Sequence, residues 1–304
     1  MTGARDGRPA VLVLGDVMVD VLARIGSELS QLAYGSDTPA RISLTGGGSA
    51  ANTACWLATA GARPTLVGAV GDDPLGQSAR AQLAAAGVRA ALRTVAGVTT
   101  GTCLVLVSPD GERSMLPDAG ANTALRPADL PVELFADADH LHLSGYSLLG
   151  EETRPVALAA LELARTHRLS VSVDAASAAP LVELGPERFL AWTAGAWCLA
   201  NLDEARVLTG LTDPRAAAAA LTDRYAEVVV KLGADGALWA GPGRGEPLAA
   251  AAEPVQVVDT TGAGDAFAAG FLAARLAGSG PHRALAAGAT LAARAVGAVG
   301  ARPG

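Results

Sequence analysis

The sequence predicts an α/β protein: a doubly wound, mostly parallel sheet with helices on both faces and a small β-sheet lid. Three observations carry that reading. Short apolar runs alternate with helix-forming stretches along most of the chain, a glycine-rich turn joins a strand to a helix near residue 262, and two segments break the alternation.

Residues 11–14 form a short apolar strand that stops at Gly15-Asp16. After Gly46-Gly47-Gly48, the stretch SAANTACWLATAGA is rich in helix formers and ends at Gly61. Residues 65–70 read as a strand and 76–86 as a helix closed by Gly87. Further buried strands are expected at 141–143, 171–173, 197–200 and 228–231, spaced by helical stretches such as 154–165 and 214–225.

Residues 39–45 and 88–116 lack helical spacing and alternate in the manner of antiparallel strands. Within the second, 102–108 and 113–116 read as a hairpin turning at Pro109-Asp110-Gly111. A β appendage on an α/β core suits a lid over a substrate cleft, or else it extends the sheet edge. The expected division is a core of 1–15, 45–88 and 120–304, with 16–44 and 89–119 as lid. No internal repeat is evident.

Composition narrows the class. The 304 residues are 50% hydrophobic and 17% charged, which excludes a disordered chain. Net charge is −7 and the basic residues form no cluster, which argues against nucleic acid and against anionic membranes. The most apolar regions are broken by Asp265, Arg275 and Arg294, so no span is expected. Three scattered cysteines (Cys55, Cys103 and Cys198) and no signal-peptide pattern point to the cytoplasm.

The most informative segment is VQVVDTTGAGDAFAAGFL, residues 255–272. A strand ends at Asp259, a turn follows through Thr260, Thr261, Gly262, Ala263 and Gly264, and a helix starts near Asp265. Glycines let an anion approach the backbone N–H groups, and a helix N-terminus adds about half a positive charge. The result is an anion hole suited to a transferring phosphoryl group. Asp265, in the first turn, is placed to accept a proton from a hydroxyl, or merely to complement the helix dipole.

Lys231 is the only lysine among 23 basic residues. Its neighbours exclude a P-loop, and no GxGxxG follows the first strand, so dinucleotide chemistry loses its main signature. Lys231 ends a strand before Gly233, where it is either a phosphate contact or a snorkelling surface side chain. Asn201 and Glu204, three apart at a helix start, are either a capping box or carboxamide and carboxylate partners of a hydrated Mg²⁺. His140 and His142 read as structural, and four scattered histidines make no zinc site.

Together these motifs resemble the PfkB (ribokinase-like) family of carbohydrate and nucleoside kinases over essentially the whole chain. One signature is similar to residues 46–76, including the glycine pair, Asn52 and the G-x-D-x-x-G of 71–76; the other is DTTGAGD, 259–265. The resemblance implies ATP-dependent phosphorylation of a hydroxymethyl group with Mg²⁺. It makes Asp265 the base and Gly262, Ala263 and Gly264 the anion hole. Asn201 and Glu204 match the family's N-x-x-E element, with Glu204 reaching Mg²⁺ through water; Lys231, Gly233 and Thr260 fall to the nucleotide. Many members bind a monovalent cation, here K⁺ on Asp259 and Thr261 beside the loop at 300–303.

For the acceptor, the resemblance carries over Asp20, Gly47, Gly48 and Asn52, with Asp16 a weaker candidate. Arg113 reads as a solvated lid residue. The segment VDAASAAP lacks the polar and Arg pattern of 2-keto-3-deoxygluconate kinases, and a single lysine disfavours a phosphofructokinase-type acceptor. Few aromatics leave little to stack a base, so a free sugar is expected ahead of a nucleoside, with Tyr146 the residue most able to reverse that. A non-catalytic sugar- or nucleotide-binding protein is the alternative of another class. The lid strands are expected to pair across a homodimer.

Overall fold

The computed structural model describes residues 7–109, 113–243 and 245–303. Its strands are β1 (Ala10–Leu14), β2 (Met18–Ile25), β3 (Ala40–Gly47), β4 (Arg63–Gly71), β5 (Arg89–Val95), β6 (Gly101–Val107), β7 (Arg113–Asp118), β8 (His140–Ser144), β9 (Ser170–Asp174), β10 (Trp197–Asn201), β11 (Glu227–Lys231), β12 (Ala237–Ala240) and β13 (Leu248–Ala250). The helices are α1 (Ser49–Thr59), α2 (Pro74–Ala85), α3 (Val132–Asp137), α4 (Tyr146–Leu149), α5 (Arg154–Thr166), α6 (Ala178–Leu184), α7 (Pro186–Thr193), α8 (Leu202–Thr209), α9 (Pro214–Leu221), α10 (Ala263–Leu276) and α11 (Pro281–Val296).

Nine strands form one sheet in the order β13-β12-β11-β10-β9-β8-β1-β4-β5. It is parallel from β11 to β5, and β12 and β13 add an antiparallel edge. The pleat of β1 divides the two cores. Leu12 and Leu14 join a cluster with α5 to α9, whereas Val11 and Val13 join one with α1, α2, α10 and α11. Burial on both faces is why β1 reads as an unbroken apolar run.

The lid is a separate four-stranded sheet, β3-β2-β6-β7. The expected hairpin is present, with β6 and β7 antiparallel from Thr102↔Asp118 to Val107↔Arg113; of its turn, Asp110 and Gly111 lie outside the described residues. One expectation needs correction. Residues 89–95 are expected in the lid, but they form β5, which runs parallel to β4 at the edge of the main sheet. An edge strand is half-covered, so its exposure varies along the strand and its sequence looks like a lid strand.

His140 and His142 are buried on one face of β8 and contact the Ser170 and Ser172 hydroxyls. Burial lowers their pKa values to about 3 and about 4, so both are neutral and structural. The three cysteines are buried and unpaired. Among the described residues no helix is long and apolar enough to cross a membrane.

Candidate active site

The candidate residues collect along the carboxyl ends of the parallel strands, the place where open α/β sheets bind ligands. Asp16 follows β1, Asp174 ends β9, Asn201 ends β10 and Lys231 ends β11, with Asn201 and Lys231 in direct register. The lid brings Asp20 and Arg113 from β2 and β7, and the N-termini of α1 and α10 complete the cluster.

At the α10 end, Gly262 is the N-cap with φ of 74°. A Cβ there would stand 2.5 Å from the Ala301 carbonyl, so both the left-handed backbone and the close approach require glycine. Ala263 and Gly264 open the helix, and Asp265 sits in its first turn. Two residues of α1 grip its carboxylate: Ser49 Oγ donates to Oδ1 at 2.8 Å, and Asn52 Nδ2 donates to Oδ2 at 3.0 Å. Burial lifts the Asp265 carboxyl to about 7. The Asn52 hydrogen bond opposes that rise, Asp174 adds to it, and Ser49 and Lys231 oppose it.

The α1 end is built to present those donors. Gly48 caps the helix with φ of 90°. Asp16 accepts the Ser49 N–H at 2.8 Å and the Ala50 N–H at 3.3 Å, so its carboxylate is engaged as an external helix cap. Gly47 leaves room for Asp20, which a Cβ would overlap. Burial raises the Asp20 carboxyl to about 6, against the nearby charge of Arg302, with Asp16 and Asp259 adding to the rise.

Asn201 and Glu204 form a reciprocal capping box on α8: Glu204 N–H donates to Asn201 Oδ1 at 2.9 Å, and Asn201 N–H to Glu204 Oε2 at 2.8 Å. The cap is real, yet Glu204 is also chemically poised. Burial beside Asp174 raises it to about 7, against the charge of Lys231. Two buried carboxylates served by a single lysine are hard oxygen donors short of positive charge, which fits a hydrated Mg²⁺ better than a cap alone does. Among the described residues there is no group of three or more His, Cys, Asp or Glu side chains able to hold a metal directly.

Two sequence expectations change here. Lys231 is not a snorkelling surface lysine: its Nζ lies 2.7 Å from Asp174 Oδ2, a contact that uses one of its three N–H donors. It still borders the glycine turn, because a Cβ on Gly264 would stand 3.3 Å from Nζ. Arg113 is not a solvated lid residue. Its Nη2 lies 2.6 Å from Asp259 Oδ1 and its Nη1 2.5 Å from Thr261 Oγ1, with Thr260 Oγ1 at 3.3 Å. Gly233 opens an exposed 3₁₀ turn with no side chain close by. The Thr260 hydroxyl meets the lid arginine, Arg113.

Asp174, Ser49 and Arg302 were not among the expected site residues. Arg302 donates from Nε to Asn52 Oδ1 at 3.1 Å and from Nη2 to the Gly47 carbonyl at 2.6 Å. It thereby turns the Asn52 amide so that its NH₂ faces Asp265. The Asp ending VSVD and the Ser within GGGSAAN were visible as strand-end and helix-start residues; nothing local marks Arg302.

The fold and this cluster belong to a recognisable class. The solved adenosine kinase from Sinorhizobium meliloti superposes with a TM-score of 0.88 at 27% identity, covering 97% of this chain and 96% of that one. The protein is a phosphotransferase acting on an alcohol group. The profile of the pfkB family of carbohydrate kinases matches residues 8–304, and the chain belongs to that family. Among similar proteins, the ATP-dependent ribose-1-phosphate kinase of Halopiger xanaduensis is 37% identical over 79% of this chain and 77% of its own length. A fructokinase from Klebsiella pneumoniae is 33% identical over 86% of this chain and 83% of its own.

Proposed function

We propose that the protein transfers the γ-phosphoryl group of ATP to a hydroxymethyl group of a small carbohydrate, with Asp265 as general base. The observation that carries this reading is the seating of Asp265: it lies in the first turn of α10, beside Gly262–Gly264, with its carboxylate aimed by Ser49 and Asn52. A carboxyl held near 7 is deprotonated often enough to take a proton and basic enough to want one.

In this reading the acceptor lies between Asp20, Gly47, Gly48 and Asn52, and its hydroxyl displaces one of the α1 hydrogen bonds at Asp265. Asp265 takes the hydroxyl proton as the acceptor oxygen bonds to the γ-phosphorus and the bond to the ADP oxygen breaks. The backbone N–H groups of residues 262–264 and the α10 N-terminus take up the charge that develops on the phosphoryl oxygens. Glu204 and Asn201 would hold Mg²⁺ through water, where it would neutralise phosphate charge. The lid covers the cleft and excludes water, which protects ATP from hydrolysis.

A nucleoside acceptor is the second reading. It is favoured by Tyr146, which opens α4 at the cleft with 44% of its surface exposed, and by the likeness to an adenosine kinase. A phosphosugar is the third, supported by the kinase of ribose 1-phosphate among the relatives. A non-catalytic binding protein is disfavoured by the intact Asp265 and glycine turn.

The deciding assay is ADP release from Mg-ATP across fructose, ribose, ribose 1-phosphate, sugar acids and adenosine, with the Asp265→Asn protein as control. An acceptor-dependent signal that the variant lacks is expected. Silence with every acceptor, while ATP still raises the melting temperature, would instead support the binding protein.

A homodimer through the lid belongs to the same proposal. Leu44, Val21, Leu104 and Leu116 are cross-strand neighbours on one face of the lid sheet, and the three leucines are exposed. An apolar row of this kind, with sheet edges at β3 and β7, favours association. Sedimentation is expected to give a dimer that Leu44→Asp with Leu104→Asp converts to monomer; a monomeric parent protein would refute it.

A further inference from the structure

The monovalent cation implied by the family resemblance would sit on Asp259 and Thr261. In this structure those side-chain atoms already hold a positive group. The guanidinium of Arg113 spans them, with Nη2 on Asp259 Oδ1 at 2.6 Å and Nη1 on Thr261 Oγ1 at 2.5 Å. Two backbone groups also donate to the carboxylate: Thr261 N–H to Oδ1 at 2.8 Å and Gly300 N–H to Oδ2 at 3.1 Å. Asp259 is 2% exposed and Arg113 18%, so water does not screen the pair. Burial works against the Asp259 charge, yet the hydrogen bonds from Thr261 and Gly300 and the charge of Arg113 hold its carboxyl below the usual range.

A bare monovalent ion needs several oxygens free to face one point. Here three N–H donors occupy most of the Asp259 carboxylate, Arg113 takes the Thr261 hydroxyl, and a second positive charge within a few ångströms of the guanidinium would share that single carboxylate with it. The side chains present do not fit both.

We propose that Arg113 is the resident cation of the 259–265 loop, so that potassium is not needed while the lid is seated. The proposal rests on the reading of Gly262–Gly264 as an anion hole, whose charge balance includes the Asp259 carboxylate three residues before Gly262. Because Arg113 belongs to β7, this positive charge travels with the lid. A diffusible ion would be present wherever the lid lay; a tethered arginine ties the electrostatics of the anion hole to the seating of the lid.

The test is thermal melting of the apo protein in potassium chloride and in tetramethylammonium chloride at equal ionic strength, for the parent chain and for Arg113→Ala. Tetramethylammonium is too large for a site of this kind. The parent protein is expected to melt at the same temperature in both salts. Arg113→Ala is expected to melt lower in tetramethylammonium and to recover specifically in potassium, as an ion enters the vacated place by mass action. A potassium-specific rise in the parent protein would overturn the proposal, as would an Arg113→Ala protein indifferent to potassium. Neither ATP nor an acceptor is used, so a silent acceptor panel would count against the kinase reading alone.

Discussion

Asp265→Asn is expected to lower turnover on the order of 10²–10⁴-fold or more while leaving ATP binding intact, the range for losing a positioned general base. The amide keeps the shape of the carboxylate but cannot take the acceptor proton. Folding is not expected to suffer. The native carboxyl is raised to about 7 from 3.8, chiefly by burial. A raised carboxyl favours the native state below its unfolded pKa and loses that contribution as pH rises through about 7. At pH 8 the ionised carboxylate therefore weighs against the fold, and the Asn variant should melt no lower than the parent.

The same shift sets the pH profile. Only the deprotonated carboxylate can act as base, so the parent rate should fall with unit slope below about pH 7 and level off above it. Steady-state kinetics across pH, with melting curves on both proteins, checks both halves. An Asn variant with near-normal turnover, or a flat profile through pH 7, would remove Asp265 from the role of base.

Lys231→Met is expected to damage stability and catalysis together. Lys231 neutralises Asp174 at 2.7 Å, and both side chains are largely buried, at 14% and 10% exposure. Removing one partner leaves the other charge uncompensated in a low-dielectric site, which costs about 3–5 kcal/mol for a buried pair; the residual exposure puts this one at the lower end. For a chain of this size that is a fall in Tm on the order of 5–10 °C.

The activity loss has a separate cause. Nζ borders Gly264, so the variant also removes positive charge from beside the anion turn. A loss of about 10²-fold in turnover is expected, comparable to deleting one preorganised donor. Melting at pH 7 and kcat at saturating ATP measure the two effects independently. A variant that melts like the parent would mean that the Asp174 pair contributes no net stability.

Much of this molecule is local in origin, and that part was legible. Alternation of apolar runs with helical stretches sets the parallel sheet, since each element must bury its own face. The turn at 259–265 announces itself because glycine is needed where the chain takes a left-handed backbone and passes close to Ala301. The Asn201–Glu204 capping box spans three residues, and its cap reading could be stated from spacing alone. Even here one local signal misled: β5 has the intermittent burial of an edge strand, and neighbouring residues cannot say which of two sheets supplies the partner.

By itself, then, the sequence determined the α/β class, the lid hairpin, the glycine turn and the position of Asp265 in a helix's first turn, because each depends on residues within a few positions of one another. Only the tertiary structure decided what surrounds them. Asn52 meets Asp265 across 213 positions, Arg113 meets Asp259 across 146 and Lys231 meets Asp174 across 57. These contacts are made by strands and helix ends that the sheet order brings to one edge. A guanidinium, an ammonium and an amide have the same local sequence signature in solvent as in a site, so their roles follow from which carboxylate the fold sets opposite them.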